Sequence, residues 1–278
     1  MIRITRYGEV TRFDLSRTLF GKGRYWTSAY LADGWMIDTG CAYSAAELAQ
    51  ALGDCRLRGI VNTHSHEDHI GGNGRLQRTH GGAAELPILA HSLALPVLAD
   101  PRRKQPLHPY RRVFWGLPEP CQATALTDGQ VIEGERCHFQ VIFTPGHSPD
   151  HLCLFELSHG WLFSGDLFVG GRDRALRAGQ DIWQTIQSLK RIAALPAEVL
   201  FPGSARVRER PAQELQQRIA YLEELGEKVL ALHAAGLGVG EIVRRLCGAP
   251  MWIELVTLGH FSRRQLVLSY LSGRGARG

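Results

Sequence analysis

The stretch Val61-Asn62-Thr63-His64-Ser65-His66-Glu67-Asp68-His69-Ile70-Gly71-Gly72 carries three histidines and an aspartate within six positions, directly behind a short apolar run. In an extended chain His64 and His66 point to the same side, because side chains repeat every second residue. Two neutral imidazoles can then bind one cation. Asp68 and His69 follow where the glycines let the chain turn, so their side chains can serve a second cation. The stretch therefore predicts a metal-binding loop.

Two other interpretations of this loop are a polar loop that is rich in histidine and a zinc site on a helix. The spacing differs from His-Glu-x-x-His and does not suit one face of a helix, which argues against the helical site. Residues of metal-ligating types seldom cluster so densely, and this density favours a metal centre over an ordinary polar loop.

The composition limits the class of protein. A chain of 278 residues with 44% hydrophobic residues can form one large core, or one core and a smaller appended unit. No secretory signal pattern or membrane-length apolar run is present, so we expect a cytoplasmic protein without a membrane partner. The six cysteines are dispersed, and we assign none as a nucleophile. The net charge of +5 suits an anionic small-molecule substrate and does not favour nucleic acid.

Local patterns predict strands and helices around the loop. Asp33-Gly34 between two apolar segments predicts a tight hairpin. Residues 44–52 are typical of a helix that begins with a capping box of Ser44 and Glu47. Residues 59–62 predict a strand, which places the metal-binding loop at its carboxyl end. Further strands are predicted over residues 131–134, 139–143 and 152–157, and helices over 182–192, 210–234, 239–246 and 262–271.

Residues 100–120 combine five prolines with basic and aromatic side chains, and we predict an irregular excursion there. Such a segment can form an anion-binding lid or contact nucleic acid, whereas a proline-rich surface loop with solvated arginines is the more common outcome. His108, Tyr110 and Trp115 are candidate substrate contacts on this segment.

The run His64-Ser65-His66-Glu67-Asp68-His69 resembles the H-x-H-x-D-H signature of the metallo-β-lactamase superfamily. Downstream, residues 144–151 resemble the family's T-P-G-H-x-x-x-H loop. This likeness implies that His147 completes a site with His64 and His66, and that His151 lies behind the metals without binding them.

Asp166, which ends a short apolar strand, resembles the family aspartate whose carboxylate bridges both metals. The second site would then contain Asp68, His69 and Asp166. Asp38 resembles an aspartate that supports the ligand loop from below, and a simple turn aspartate is an equal alternative.

Ser204 stands where the family has the last histidine of the second site. A neutral hydroxyl is a poor ligand beside imidazole and carboxylate, so the resemblance predicts one firm and one labile site. Ser204 could instead contact a metal through water, or His260 could supply the ligand. The implied cofactors are one or two divalent ions, with zinc expected and manganese or iron as alternatives at the second site.

The resemblance implies an α/β fold, a four-layer αββα metallo-β-lactamase sandwich with a C-terminal helical, winged-helix-like subdomain. We predict a catalytic domain over residues 1–208 and the helical subdomain over 209–278. The tail is similar to those of endoribonucleases and glyoxalase II-like hydrolases of this superfamily, and its arginine pairs Arg244-Arg245 and Arg263-Arg264 could meet phosphate or remain solvated.

The implied chemistry is hydrolysis by a metal-bound hydroxide, with Asp68 orienting the metal-bound water or accepting its proton. The expected substrate is a small carbonyl ester or thioester of the glyoxalase II kind. The alternatives are a phosphodiesterase or endoribonuclease of the same fold, and a metal-binding sensor protein whose incomplete second site no longer supports turnover.

Overall fold

The computed structural model describes residues 1–81, 85–171, 175–248 and 251–272. The chain divides into two units, which are treated separately below. The first comprises Met1–Phe143, Asp150–Val169 and Ala197–Arg210, and the second comprises Thr144–Pro149, Gly170–Pro196 and Pro211–Gly278. The domain boundary expected after residue 208 stays a prediction.

The strands, in chain order, are β1 (Ile2–Tyr7), β2 (Val10–Leu19), β3 (Lys22–Ala32), β4 (Trp35–Ile37), β5 (Gly59–Val61), β6 (Ile88–His91), β7 (Thr124–Leu126), β8 (Val131–Glu133), β9 (His138–Phe143), β10 (Leu152–Glu156), β11 (Trp161–Gly165), β12 (Leu176–Arg177), β13 (Val199–Pro202), β14 (Arg208–Glu209) and β15 (Phe261–Ser262). The helices are α1 (Ala45–Leu52), α2 (Asn73–His80), α3 (Leu95–Ala99), α4 (Pro101–Lys104), α5 (Pro109–Phe114), α6 (Ile182–Ala193), α7 (Ala212–Ala234), α8 (Val239–Cys247), α9 (Trp252–Val256) and α10 (Arg263–Ser272).

The first unit contains two sheets. The first sheet has the order β1 to β7, antiparallel up to β4 and parallel from β4 to β7. The second sheet has the order β14-β13-β11-β10-β9-β8, and its β11 and β13 are parallel. Carboxyl ends of parallel neighbours meet at one edge of a sheet, so the segments after β4 and β5 lie side by side, as do those after β11 and β13.

Apolar faces of the two sheets form a shared core. Tyr30 and Val61 of the first sheet belong to the same buried cluster as Phe139, Phe163 and Phe201 of the second. A second cluster joins the other face of the first sheet to α1 and α2, for example Met36 with Leu48 and Leu76. Full burial of one such side chain stabilises the fold by about 1.5–3 kcal/mol. These layers, with the helical C-terminal region, confirm the predicted α/β sandwich.

The Asp33-Gly34 hairpin is confirmed. Ala32 pairs with Trp35, which leaves a two-residue loop. Both loop residues have positive φ, 47° at Asp33 and 81° at Gly34, as a type I′ turn requires. Aspartate and glycine tolerate this backbone conformation better than most residues do.

Two local predictions were wrong. The helix after residue 44 exists, but its capping box does not, because Ser44 Oγ donates to Cys41 O at 3.0 Å and accepts no bond from a helical N–H. Residues 100–120 are also more regular than expected, since α4 and α5 each begin with a proline. Proline is well suited to the first helical position, where its missing N–H costs nothing.

The second unit contains α6, α7, α8, α9 and α10 together with the short antiparallel pair β12 and β15. Buried residues of α6, α7 and α10 include Ile186, Leu222 and Tyr270. Tyr270 Oη donates to Leu222 O at 2.7 Å, and Trp183 Nε1 donates to Tyr270 O at 3.1 Å. In the part of the chain described, no helix combines the length and the apolar character that crossing a membrane demands.

Candidate metal centre

The loop after β5 is held by hydrogen bonds along its length. Thr39 N donates to His69 O at 2.8 Å, and Ser65 N donates to a carboxylate oxygen of Asp150 at 2.8 Å. Leu152 N donates to Thr63 O at 2.8 Å, which joins the loop to β10 of the second sheet. A loop with its backbone groups satisfied in this way keeps its side chains in fixed positions.

Gly71 lets two backbone segments pack closely together, and does not supply the turn conformation that the sequence predicted. Its φ is not positive, whereas a Cβ at this position would lie 2.2 Å from Ala42 N. Gly71 N donates to Gly40 O at 2.7 Å, so two backbone segments lie too close together for a side chain.

Asp38 lies beneath the loop because β4 and β5 are parallel and Ile37 is paired with Val61. Its Oδ1 accepts from Thr63 N at 2.8 Å, and its Oδ2 accepts from Thr63 Oγ1 at 2.7 Å. The same Oδ2 lies 2.8 Å from His69 Nδ1. A carboxylate on one ring nitrogen sets the orientation of the imidazole and leaves Nε2 for a cation. Asp38 also has a positive φ of 59°, a conformation found in turns. Its role in supporting a metal ligand stays a prediction.

Within the first unit, His64, His69 and Asp166 converge. One potential ligand atom from each lies within 4.8 Å of the others. His69 Nε2 is 3.4 Å from Asp166 Oδ2 and 3.9 Å from Asp68 Oδ2. Both histidine side chains are fully buried, and Asp166 is partly buried. Two imidazoles and carboxylates around one point form a donor set that suits zinc, manganese or iron, so these residues fit the predicted metal.

The electrostatics of the cluster favour positive charge. Burial alone would lower the pKa of His69, but the carboxylates of Asp166, Asp38 and Asp68 more than offset burial and raise that pKa well above its ordinary value. The same carboxylates would stabilise a dication at this position.

His66 and His151 flank His64. The ring centroids of His64 and His66 are 4.3 Å apart with an interplanar angle of 83°, and those of His64 and His151 are 5.1 Å apart. Burial lowers the pKa of His151 to about 4, so its ring is neutral at pH 7 and does not repel a cation.

His147, the third histidine of the predicted first site, lies in the second unit. The amide Nε2 of Gln180 lies 3.0 Å from His147 Nδ1 and donates to His147 O at 3.1 Å. The assignment of His147 as a ligand stays a prediction, as does that of His66.

Ser204 follows a glycine that reaches the cluster. A Cβ at Gly203 would lie 2.5 Å from Asp166 Oδ1 and 2.8 Å from His69 Cε1. Gly203 N donates to Gly165 O at 2.7 Å, and Ser28 N donates to Gly203 O at 2.6 Å. The backbone before Ser204 is therefore held against the ligand side chains by both sheets.

The partners of Glu67 were not indicated by any sequence pattern. This carboxylate is fully buried and forms an ion pair with Arg111 of α5, whose side chain is 8% exposed. Gln105 Nε2 donates to Ser65 O at 3.0 Å, so the segment predicted to be a proline-rich excursion covers part of the ligand loop. Only the tertiary fold brings Arg111 to Glu67, because no local pattern distinguishes Arg111 from its solvated neighbours.

The aromatic residues of the same segment pack against the β2–β3 hairpin. Tyr25 lies 4.4 Å from Phe114 and 6.1 Å from Trp115 between ring centroids. Trp115 is 6.4 Å from Tyr110, and Tyr110 is 6.1 Å from His108. The assignment of substrate contact to His108, Tyr110 and Trp115 stays a prediction.

Comparison with known proteins agrees with this geometry. The chain is 29% identical to an atrochrysone carboxyl ACP thioesterase of Aspergillus fumigatus over 63% of this chain and 47% of the relative. It is also 29% identical to a hydroxyacylglutathione hydrolase of Ectopseudomonas mendocina over 58% of this chain and 52% of the relative. The chain therefore spans about half the length of these two relatives.

A solved structure with the same fold is that of a metallo-beta-lactamase family protein from Thermus thermophilus. It superposes with a TM-score of 0.65 at 21% identity, over 96% of this chain and 95% of the other. The sequence profile described as "Metallo-beta-lactamase superfamily" matches residues 29–204, which contain the ligand loop, Asp166 and Ser204. The chain belongs to the metallo-β-lactamase superfamily.

Proposed function

We propose that the protein is a metal-dependent hydrolase that cleaves a small carboxylic thioester. The observation that carries this proposal is the buried convergence of His64, His69 and Asp166 above the supporting carboxylate of Asp38. Two of the relatives, the thioesterase and the hydroxyacylglutathione hydrolase, favour a thioester over other carbonyl substrates.

A divalent metal, when bound, supplies Lewis-acid polarisation of the substrate carbonyl and lowers the pKa of water. As the family pattern implies, His64, His66 and His147 would hold one ion, and Asp68, His69 and Asp166 would hold a second. Asp38 keeps the ring of His69 oriented with Nε2 toward the cation. Asp68 is partly exposed, and Thr27 Oγ1 donates to it at 3.4 Å, so this carboxylate is our candidate for orienting water and accepting its proton.

A phosphodiester is the weaker alternative. The case for an RNA substrate rests on the arginines of the helical tail, and two of these already pair with carboxylates of the second unit. Arg245 lies 3.0 Å from Glu241, and Arg263 lies 2.6 Å from Glu254. Paired arginines release fewer counterions on binding a phosphate backbone, which lowers the electrostatic gain that RNA binding requires.

The test compares substrate classes on one metal-loaded preparation. Protein purified without chelator is supplied with zinc, manganese or iron and assayed on acyl-glutathione and acyl-pantetheine thioesters, an activated oxygen ester and bis(p-nitrophenyl) phosphate. We expect kcat/KM to be highest for a thioester and to fall at least about 100-fold in His69→Ala and Asp68→Asn. Faster phosphodiester cleavage, or no thioester cleavage by protein with full metal content, would contradict the proposal.

Metal content tests the asymmetry of the centre. We expect one tightly bound ion per chain and a second that is lost on dialysis, because Ser204 supplies no imidazole. Ser204→His should raise the retained metal toward two equivalents, measured by elemental analysis. Equal retention in both proteins would show that the missing histidine does not limit the second site.

A further inference from the structure

A second group of metal-ligating residues lies at the opposite end of β10 from the candidate centre. Cys137 directly precedes β9, Glu156 ends β10, and His159 lies in the turn before β11. One potential ligand atom from each lies within 4.8 Å of the others. Leu152, at the other end of β10, donates to Thr63 O of the ligand loop. Leu152 and Glu156 are four residues apart, so at roughly 3.3 Å per residue the candidate centre and this second group lie roughly 13 Å apart. One ion cannot serve both.

Glu156 is a fixed and ionised carboxylate. Its side chain is fully buried, and its Oε2 accepts from Ser158 N at 3.1 Å and from His159 N at 2.6 Å. Its Oε1 accepts from His138 N at 3.2 Å. Burial would raise the pKa of this carboxyl, but the backbone donors outweigh burial and lower it. The negative charge is therefore present at neutral pH before any cation arrives, and Oε1 retains a second lone pair.

His159 and Cys137 add a nitrogen and a sulfur ligand. The ring of His159 stacks on Trp161 with centroids 4.3 Å apart and an angle of 14°, which restricts its rotation, and its Nδ1 lies 2.9 Å from Glu156 Oε2. The side chain of His159 is 42% exposed, so solvent reaches the group. Cys137 is 1% exposed, and burial raises the pKa of its thiol to about 11. Binding of a divalent cation would therefore release the thiol proton to solvent as the sulfur–metal bond forms.

We propose that Cys137, Glu156 and His159 form a separate binding site for a thiophilic divalent cation of the zinc class, with solvent as the fourth ligand. A sulfur, a nitrogen and a carboxylate oxygen select zinc, cobalt or cadmium over magnesium and calcium. The ion would link the start of β9 to the turn between β10 and β11, and so would stabilise the second sheet. The competing explanation is a turn in which Glu156 only caps backbone N–H groups.

Cobalt titration distinguishes these explanations, because a cobalt–thiolate bond gives a charge-transfer band in the near ultraviolet. The predicted ligands of the candidate centre include no cysteine, so cobalt bound there gives no such band. We expect the band in the wild-type protein and in His69→Ala. It should disappear in Cys137→Ser and persist in Cys55→Ser, whose cysteine is exposed. A wild-type protein without the band, or a Cys137→Ser protein that keeps it, would overturn the proposal.

His159→Ala provides an independent arm, because this partly exposed side chain can be truncated with little risk to folding. We expect its cobalt affinity at this site to fall at least about tenfold and its zinc-dependent rise in Tm to shrink. The control is His138→Ala, whose exposed ring pairs with Glu133 beside the site. Unchanged cobalt affinity in His159→Ala would contradict the assignment even if Cys137→Ser does not fold.

Discussion

The buried ion pair of Glu67 and Arg111 should be a large contributor to the order of the ligand loop. Glu67 lies between two predicted ligands, and its side chain is fully buried, while that of Arg111 is 8% exposed. Glu67→Gln keeps the shape of the side chain and removes its charge, and Arg111→Met keeps an unbranched chain of similar reach. Either single change leaves the other charge buried without its partner.

The expected magnitude follows from this burial. Removal of one member of a buried pair costs about 3–5 kcal/mol, because the remaining charge is desolvated and uncompensated. Removal of both members leaves no such charge, so the double variant should lose less than the sum of the two single variants. Arg78 and Glu119 form a matched control, since they are 59% and 50% exposed. Loss of an exposed pair costs about 0–1 kcal/mol.

Denaturant unfolding of the four proteins of each cycle gives the coupling free energy of each pair. The coupling free energy is the sum of the two single losses of stability minus the loss in the double variant. We expect about 2–4 kcal/mol for the buried pair and a value near zero for Arg78 with Glu119. The two single variants at the buried pair should also bind metal more weakly than wild type. Additive losses at Glu67 and Arg111, or single losses below about 1 kcal/mol, would refute the reasoning.

Three further predictions concern single residues. Gly203→Ala should lose metal, because its Cβ would displace Asp166 and His69, whereas Gly240→Ala has open space and should retain it; elemental analysis measures both. Asp38→Asn should weaken metal affinity about 10–100-fold in a chelator competition, because the carboxylate on His69 is lost. Burial would raise the pKa of Asp33, but backbone donors at residues 135–137 outweigh burial and lower it. The ionised Asp33 therefore stabilises the folded protein fully above the unfolded pKa near 3.8, and this stabilisation is lost as the pH falls through the lower folded pKa. Asp33→Asn should therefore flatten the acid limb of a Tm-against-pH profile.

Much of the architecture could be predicted because its determinants are local. The Asp33-Gly34 turn, the strand before the ligand loop, the long helix α7 and the shorter helices α8 and α10 all follow from short, contiguous patterns. The capping box failed because Ser44 had a nearer partner in Cys41 O, and such competition among hydroxyl acceptors is invisible in a sequence motif. The helices of residues 101–114 were missed because proline was taken as a breaker, although it also begins helices.

The environment of the ligand loop could not be predicted in the same way. Glu67 and Arg111 are 44 positions apart, and Ser65 meets Asp150 across 85 positions. These contacts exist because two sheets and the α4–α5 segment meet at the loop. Asp38 was identified as a candidate support only by resemblance, since its three hydrogen bonds depend on the parallel register of β4 and β5.

The backbone around Ser204 is held by bonds that do not involve the side chain at this position. In the parallel pair of β11 and β13, Gly165 is opposite Pro202. The residues that follow them, Asp166 and Gly203, therefore lie close together. Backbone bonds from Ser28 and to Gly165 hold Gly203 without help from the side chain at position 204. A serine in that position therefore removes an imidazole and leaves the path of the chain intact. We therefore predict that Asp68, His69 and Asp166 supply the protein ligands of the second site, with Ser204 through water or His260 as the alternatives. We also predict that the single change Ser204→His adds a further ligand.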